Sequence, residues 1–152
     1  MQPKFVHLRF HSEYSITDGI VRLNPAIKQM KEWGVGAFGQ TDLMNMFGSV
    51  RFYESCHKEG IKPILGCDLW ITNEEDPAHP FRLTVYCMDH DGYHSLCVLL
   101  TRAWLENQCH VKGRGEVKES WLAGEGTKGL IGISGGPEGE IQTLFRRGKT
   151  AE

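Results

Sequence analysis

The sequence lacks an excess of positive charge and has no long apolar run. Its 152 residues contain 17 Lys and Arg against 19 Asp and Glu, which gives a formal net charge of −2. Without a basic field, the composition does not predict a nucleic-acid-binding surface. A membrane-spanning helix needs about 20 apolar residues, and no segment approaches that length. The N-terminal residues also lack the apolar core of a secretory signal, so we expect a cytoplasmic protein.

The cysteines lack the pairing that a disulfide framework or a zinc site would need. There are five of them, an odd number, and they are spread from Cys56 to Cys109. This pattern is typical of reduced thiols in a cytosolic protein. Four lie in apolar surroundings and are expected to be small core residues. Cys67 stands beside Asp68 and is the only cysteine near a candidate site, although a buried, inert thiol is the simpler interpretation there.

What the chain does contain is a hydrophobic fraction of 40%, enough to bury a core, in an alternation of strand-like and helix-like segments. Strands are expected over residues 5–11, 35–42, 61–72, 81–88 and 128–136, and helices over about 24–34, 45–59, 91–104 and 138–148. Asn24 and Asp91 are expected to be N-caps. Residues 106–119 are polar and contain glycine, which predicts a mobile loop. Alternation of this kind predicts an α/β fold with mainly parallel strands and right-handed crossovers.

The predicted core follows from these strand assignments. We expect the side chains of the apolar strand faces to point into packed layers; they are Val6, Leu8, Phe10, Ile64, Val85, Ile131 and Ile133. The opposite face of the first strand is polar and carries His7, Arg9 and His11. That strand leads into a turn with Ser12, Ser15, Asp18 and Gly19. A polar strand end of this type suits an α/β active site.

Carboxylates follow three of the predicted strands and form the best candidate site together with His11. Asp18 lies in the first turn, Asp42 follows the second strand and Asp68 lies in or after the third. Imidazole and carboxylate groups are ligands for zinc or manganese, so the set would suit a hydrolytic metal site. The alternative is that Asp18 and Asp42 only cap turns or helices.

The segment ISGGPEGE, residues 133–140, places glycines before a predicted helix. Glycines at a helix N-terminus can hold phosphate. This segment lacks the lysine and the Ser or Thr of a P-loop, so a structural tight turn is the favoured interpretation.

Four segments in the same order resemble one known family. They are HLRFHSEYSITDG at 7–19, TDLMNMFGSVRFYESCHKEGIKPILGCD at 41–68, RLTVYCMDHDGYHSLCVLLTRAW at 82–104 and GLIGISGGPEGE at 129–140. Together they resemble the N-terminal PHP (polymerase and histidinol phosphatase) domain of bacterial replicative DNA polymerase III alpha subunits. The resemblance runs from about Phe5 to beyond Phe145, and the part from Asn45 to Cys67 is the most specific.

The resemblance implies a distorted β/α barrel whose strand ends hold a metal cluster in many relatives. It also implies that residues 1–152 are the N-terminal portion of such a domain, ending before the barrel is complete and without the polymerase domains. Magnesium would then be expected at the absent polymerase domain, and no cofactor is expected to bind this part of the chain.

The family's ligand pattern is only partly kept in this sequence. Metal-binding relatives begin with His-x-His, where this chain has Arg9 and His11, and the Asp of the following Asp-Gly is retained as Asp18. The family's Thr-Asp-His becomes Thr-Asp-Leu, with Asp42 followed by Leu43, whose alkyl side chain cannot coordinate a metal.

Two further positions differ, and both changes affect charge or reach. A glutamate after Gly-Cys becomes the shorter Asp68, and a histidine that opens the next strand becomes Arg82. A guanidinium stays protonated and can bind carboxylates through a planar set of donors. Our hypothesis is that Arg9 and Arg82 replace the metal as counter-charges, so that the seven vestigial positions carry no catalysis.

Two functions from different classes compete, and a third is more remote. The first is a metal-dependent phosphoesterase that cleaves pyrophosphate or nucleic-acid 3′ ends. The second, favoured by the lost histidines, is a non-catalytic scaffold that supports the rest of the polymerase III alpha chain and docks the proofreading exonuclease subunit. The scaffold would meet DNA only through the full-length protein and would not contact a membrane. A free-standing histidinol-phosphatase-like enzyme is disfavoured by the polymerase-specific middle segment.

Overall fold

The computed structural model describes residues 5–109 and 112–148. The chain divides into two compact units, Met1–Cys67 and Asp68–Glu152. Across the described ranges, no helix combines the length and apolarity that crossing a membrane would require. The α/β class that the sequence predicts is confirmed.

Helices and strands alternate along most of the described chain. The helices are α1 (Leu23–Glu32), α2 (Ser49–Glu59), α3 (His90–Glu106) and α4 (Glu140–Arg146). The strands are β1 (Ala37–Gln40), β2 (Lys62–Ile71), β3 (Phe81–Cys87), β4 (Gln108–Cys109), β5 (Arg114–Gly115) and β6 (Leu130–Ser134). Short 3-10 helices span Glu13–Ser15, Glu119–Leu122, Gly124–Thr127 and Gly136–Glu138.

The first unit packs α1 and α2 against a pair of parallel strands. β1 pairs with the first half of β2, with Ala37 opposite Lys62 and Gln40 opposite Leu65. The core between these elements consists of Leu23, Ile27, Met30, Phe38, Phe52, Cys56 and Ile61. Burial of these apolar side chains is the main force that holds the unit together.

The predicted first strand is the principal correction in this unit. Residues 5–11 are extended but form no regular strand; they lie beside β1 through two backbone hydrogen bonds. The N–H of Gly39 donates to the carbonyl of His7 at 2.8 Å, and that of Thr41 to the carbonyl of Phe10 at 2.9 Å. Phe10 packs on Phe38 with ring centroids 4.8 Å apart. Leu8, expected to be buried, is 41% exposed.

Both helices of the first unit begin at other residues than the sequence suggests: α1 begins earlier and α2 begins later. α1 has Arg22 as its N-cap, so Asn24 lies inside the helix, where its side chain accepts from the Ser55 hydroxyl at 3.1 Å. α2 begins at Ser49 rather than at residue 45, and its buried residues are Ser49, Phe52 and Cys56. The apolar side chains Phe47, Val50 and Tyr53, which helical spacing over residues 45–59 would place on one apolar face, are exposed instead.

The second unit contains a sheet in the order β2-β3-β6. β3 and β6 are antiparallel, with Leu83 opposite Ser134 and Cys87 opposite Leu130, which departs from the expected parallel direction. Val85 is buried as predicted, at 3% exposed. Ile131 and Ile133 are 49% and 44% exposed, so their predicted burial is wrong. Ile64, Val6 and Phe10 are only partly buried.

The N-cap of the longest helix lies two residues before the predicted one. Asp89, not Asp91, is the N-cap of α3, and its side chain accepts from the Gly92 N–H at 2.8 Å. The helix buries Leu96, Leu99, Leu100 and Ala103. Leu96, Leu100 and Ala103 belong to the stripe that the helical periodicity predicts.

The predicted loop 106–119 contains more structure than its composition suggests. β4 and β5 form an antiparallel pair, and Val117 is fully buried. The N–H of Val117 donates to the carbonyl of Trp70 at 2.8 Å, and that of Thr72 donates to the carbonyl of Val117 at 3.0 Å. These bonds attach the segment to the end of β2. Residues 110–111 lie outside the described ranges.

Gly39→Ala is expected to lower the free energy of unfolding by about 1–3 kcal/mol, because its Cβ would overlap the backbone of the adjacent segment. That atom would lie 2.2 Å from the Leu8 carbonyl oxygen. Gly132→Ala is the control, since the nearest atom to its Cβ is Leu83 Cδ1 at 3.8 Å. Urea denaturation followed by circular dichroism measures both. Equal stability of the two variants would contradict this account of residues 5–11.

Candidate functional site

Asp42 follows β1 and is 2% exposed. The backbone N–H of Ser12 donates to Asp42 Oδ1 at 2.6 Å, and the Ser12 hydroxyl donates to Oδ2 at 2.8 Å. Gln40 Nε2 donates to the same Oδ2 at 2.7 Å. Both carboxylate oxygens therefore have donors from the protein itself. A buried carboxylate with this many donors fixes the turn after residue 11 to the end of β1.

Asp18 lies in the same turn and joins two other side chains. Its Oδ2 is 2.8 Å from His11 Nδ1, and its Oδ1 accepts from the Ser15 hydroxyl at 2.6 Å. The side chain of His11 is 15% exposed and that of Asp18 is 37% exposed. Ser15 is buried, and its oxygen also accepts from the Leu43 N–H at 2.9 Å. The carboxylate thus stands between the imidazole and the hydroxyl.

This arrangement does not form a nucleophilic relay. In such a relay the histidine must contact the hydroxyl and the carboxylate must orient the histidine. Here the Ser15 hydroxyl donates to Asp18 and not to a histidine, and Ser15 is 1% exposed, so the order of contacts differs from that of a relay and the hydroxyl is closed to substrate. The turn is held by its polar groups, and Leu43 contributes only its backbone N–H.

A strained backbone position lies within the turn. Ile16 has φ 63° and ψ −58°, and the Thr17 N–H donates to the Ser15 carbonyl at 2.7 Å, which together define a γ-turn. A β-branched residue with positive φ costs free energy, and the surrounding hydrogen bonds must hold it. The hydrogen bonds of Ser15 and Asp18 supply that restraint.

Asp68, the third predicted carboxylate, is fully buried in the second unit. Its Oδ1 accepts from the Thr84 hydroxyl at 2.5 Å. Its Oδ2 accepts from Arg82 Nη1 at 3.2 Å, and the Arg82 side chain is 6% exposed. The ion pair joins β2 to β3 across the position where the family has a carboxylate and a histidine. The guanidinium supplies the positive charge that this buried carboxylate needs.

Arg82 has two further neighbours. Its Nε lies 3.3 Å from Glu138 Oε2, without the alignment of a hydrogen bond. Its guanidinium carbon lies 4.2 Å from the centroid of the Trp70 ring, within cation–π distance. The segment proposed as a tight turn therefore contributes Glu138 to Arg82, and the Gly135 N–H donates to the Arg82 carbonyl at 3.1 Å. The guanidinium therefore lies between Asp68, Glu138 and the Trp70 ring.

The other predicted counter-charge, Arg9, is exposed, in the extended stretch beside β1. The pairing proposed for Arg82 thus has a matching geometry, whereas for Arg9 it stays a prediction. The three carboxylates do not share one set of contacts: Asp18 and Asp42 are held by neighbours from the first unit, and Asp68 by Arg82 and Thr84 from the second.

The cysteines near these groups are not poised as nucleophiles. Cys67 is fully buried, and its thiol donates to the Asp42 carbonyl at 3.1 Å. Burial raises the pKa of the Cys56 thiol to about 12 and that of Cys87 to about 11. A thiol with so high a pKa carries little thiolate at neutral pH. The interpretation of these cysteines as packing residues agrees with the structure.

The donor set does not fit the metal cluster of the family. Within residues 5–109 and 112–148, no group of three or more His, Cys, Asp or Glu is arranged to hold a metal ion. His11 and Asp18 are an adjacent pair of ligand types, and the loss of donors at Leu43 and Arg82 stays a prediction from the resemblance. We therefore derive no reaction step through a metal here.

Three contributors to these clusters were missed by the sequence reasoning, although the strand period could have found them. Alternate residues of a strand share a face. Gln40 precedes Asp42 by two residues, Trp70 follows Asp68 by two, and Thr84 follows Arg82 by two. No such local signal exists for Glu138, which reaches Arg82 only through the tertiary fold.

Comparisons with known proteins agree with the motifs. A sequence profile of the PHP domain matches residues 7–152. The chain is 38% identical over 152 residues to the DNA polymerase III subunit alpha of Pseudomonas fluorescens, covering 100% of this chain and 13% of that protein. It is 41% identical over 140 residues to that of Neisseria meningitidis, covering 92% and 12%. The chain therefore spans about 13% of the length of these relatives.

One solved structure has a similar fold at low sequence identity. It is an amidohydrolase from Chromobacterium violaceum, with a TM-score of 0.52 and 17% identity over 64% of this chain and 32% of that chain. At this identity the likeness concerns the fold alone. It agrees with the α/β arrangement described above.

Arg82→Ala is expected to lower the free energy of unfolding by about 3–5 kcal/mol, because Asp68 would be left buried without its cation. Lys31→Ala is the matched control, since the Lys31–Glu59 pair is 2.7 Å apart but its lysine is 58% exposed. The control is expected to cost at most about 1 kcal/mol. Chemical denaturation measures both values.

The double variant Arg82→Met with Asp68→Leu separates charge from packing. It should recover most of the stability lost in Arg82→Ala, because no unpaired charge remains. An Arg82→Ala protein as stable as Lys31→Ala would show that the guanidinium does not neutralise Asp68.

Proposed function

Because the chain belongs to the PHP domain family, we propose that it is the PHP region of a replicative DNA polymerase III alpha chain and that its role there is structural. The two relatives described above support the first part, since they are DNA polymerase III alpha subunits. DNA synthesis, with the magnesium that it requires, belongs under this proposal to the part of the protein outside this chain. The full protein acts in the cytoplasm.

The observation that supports the structural role is the buried ion pair between Arg82 and Asp68. A metal-dependent phosphoesterase would need histidine at that position, and the buried Arg82–Asp68 pair instead has the charge balance of a stable core contact. Metal binding close to Arg82 would place two positive centres side by side, which is electrostatically unfavourable.

The second supporting observation is that Asp42 already accepts hydrogen bonds at both carboxylate oxygens. Three hydrogen bonds from Ser12 and Gln40 engage both of its oxygens. These bonds use three of the about four lone-pair sites of the carboxylate, and the side chain is buried, which leaves little room for a metal ion. The polar groups that hold metal in relatives therefore act, in our proposal, as ties between segments of the scaffold.

A scaffold of this kind supports the rest of the alpha chain and offers a surface to other subunits. We assign to it the docking of the proofreading exonuclease subunit. DNA is contacted only through the full-length protein. The alternative of a metal-dependent phosphoesterase is tested by the same experiments.

The first test is metal dependence. Zinc or manganese at stoichiometric concentration should leave the Tm of the full chain unchanged relative to a chelator, because Leu43 and Arg82 cannot coordinate a metal ion. Hydrolysis of pyrophosphate and of single-stranded DNA ends should stay at background. A metal-dependent rise in Tm, with hydrolysis that Asp42→Asn or Asp68→Asn abolishes, would establish the phosphoesterase instead.

The second test is docking. The proofreading exonuclease subunit should bind the full chain with the same Kd in chelator and in manganese, because the contact would not pass through a metal. Isothermal titration calorimetry measures this Kd. The full-length alpha subunit that contains this chain, with residues 5–148 deleted, is the control and should lose binding. Undiminished binding by that control would place the docking surface elsewhere.

A further inference from the structure

The second unit has an open groove. Among the seven vestigial site positions, Arg82 is the one that lines it. It consists of two adjoining hollows, of about 380 Å³ and 610 Å³, which share Ile71, Phe81, Glu119, Ala123 and Glu140. The groove lies along the ends of β2 and β3, the 3-10 helix Glu119–Leu122 and α4. Its walls thus come from four separate parts of the second unit.

The floor of the groove is apolar. Ile71 and Phe81 line both hollows and are 7% and 9% exposed. Leu122 and Leu144 line the sides and are partly buried, and Ile141 lines the same groove while 71% exposed. An exposed isoleucine beside a concave apolar floor leaves apolar surface in water, which a partner side chain would cover.

The rim of the groove is acidic. Glu74, Glu119 and Glu140 are exposed and line it, together with Glu75. The cations that line the two hollows are Lys118 and the buried Arg82, so the exposed charges of Glu74, Glu119 and Glu140 outnumber that of Lys118. In a cleft with apolar walls, carboxylates of one sign produce a negative potential that attracts cations.

The cations close to the rim have other contacts. The Nζ of Lys118 lies 5.8 Å from the centroid of the Trp121 ring. Arg82 lies against Asp68 and Glu138, and Arg147 Nη2 lies 3.3 Å from Asp76 Oδ2. The pKa of Asp76 is lowered mainly by its hydrogen bond from His79, and Arg147 adds to this. These cations already face carboxylates or a ring, so the negative rim keeps its charge.

We propose that this groove, defined by Ile71, Phe81, Leu122, Ile141 and Leu144 with the glutamates of its rim, docks a basic amphipathic peptide segment of a partner protein. Leucine-like side chains of the segment enter the apolar floor, and its lysine or arginine side chains face the glutamates. The occupant is assigned from this charge complementarity, since an acidic segment would be repelled by the same rim.

The inference deepens the proposed scaffold role and rests on it, because a scaffold needs a surface that a partner contacts. The two can nevertheless fail separately. The scaffold role is tested by metal dependence and by docking of the whole exonuclease subunit. The groove is tested by a peptide and by substitutions at its rim and floor.

The probe is a fluorescein-labelled synthetic peptide with leucine at helical spacing and lysine at the other positions. Fluorescence anisotropy measures its Kd for the full chain. The double variant Glu119→Lys with Glu140→Lys should weaken binding by at least about tenfold, because attraction at the rim becomes repulsion. Ile141→Ser should also weaken binding, since it removes an apolar contact at the groove.

Glu54→Lys is the matched control for the charge reversal. Glu54 is an exposed glutamate of α2 in the first unit, so its reversal changes the net charge without touching the groove. It should leave the Kd within about twofold once ionic strength screens distant charges. Circular dichroism melting of each variant checks that the fold is retained.

Two control peptides separate the terms of the proposal. A peptide with glutamate in place of lysine should not bind, and one with serine in place of leucine should bind much more weakly. Equal binding of the leucine and serine peptides, or equal weakening by Glu54→Lys and the groove variants, would overturn the groove as a docking site. So would an absence of binding by the basic peptide, while metal-independent docking of the exonuclease subunit would still support the scaffold.

Discussion

Burying an ionised carboxylate costs on the order of several kcal/mol unless donors or a cation replace its water, and Asp42 and Asp68 are buried in this way. Asp42 is satisfied by the hydroxyl and amide groups of Ser12 and Gln40. Asp68 is satisfied by Thr84 and the guanidinium of Arg82. The contacts of Asp42 fix the first turn to the end of β1. The contacts of Asp68 fix β2 to β3.

The two solutions have different consequences for stability. Neutral donors around Asp42 distribute the burial cost over several hydrogen bonds, and losing one leaves the others in place. Among the described residues, the cation at Asp68 is Arg82, beside the neutral hydrogen bond from Thr84. Loss of that cation therefore leaves a buried charge without that counter-charge. Glu138 and Trp70 hold Arg82 from the remaining sides and keep its guanidinium near the carboxylate. A metal ion in a relative would impose similar constraints, but it would also polarise a substrate, which a guanidinium held in this way does not do.

In the scaffold proposal, surface chemistry and core chemistry are therefore separated. The former ligand positions hold the interior, and the groove of the second unit, with Ile141 in its wall and Glu119 and Glu140 on its rim, offers the contact surface. A groove with an apolar floor and a charged rim can give both affinity and selectivity, since the floor supplies buried area and the rim rejects segments of the wrong sign.

The sequence by itself determined the α/β class and the family motifs, because alternation and residue chemistry are local. It also placed a carboxylate at the end of β1 and an arginine at the start of β3. Only the tertiary structure decided that residues 5–11 lie beside β1 without forming a strand, that β6 runs antiparallel to β3, and that α2 turns Val50 and Tyr53 outward. Strand direction and the buried face of a helix depend on which neighbours cover them, and Glu138 meets Arg82 only because the chain returns there after more than fifty residues. Such pairings are set by packing between distant segments, which no local pattern encodes.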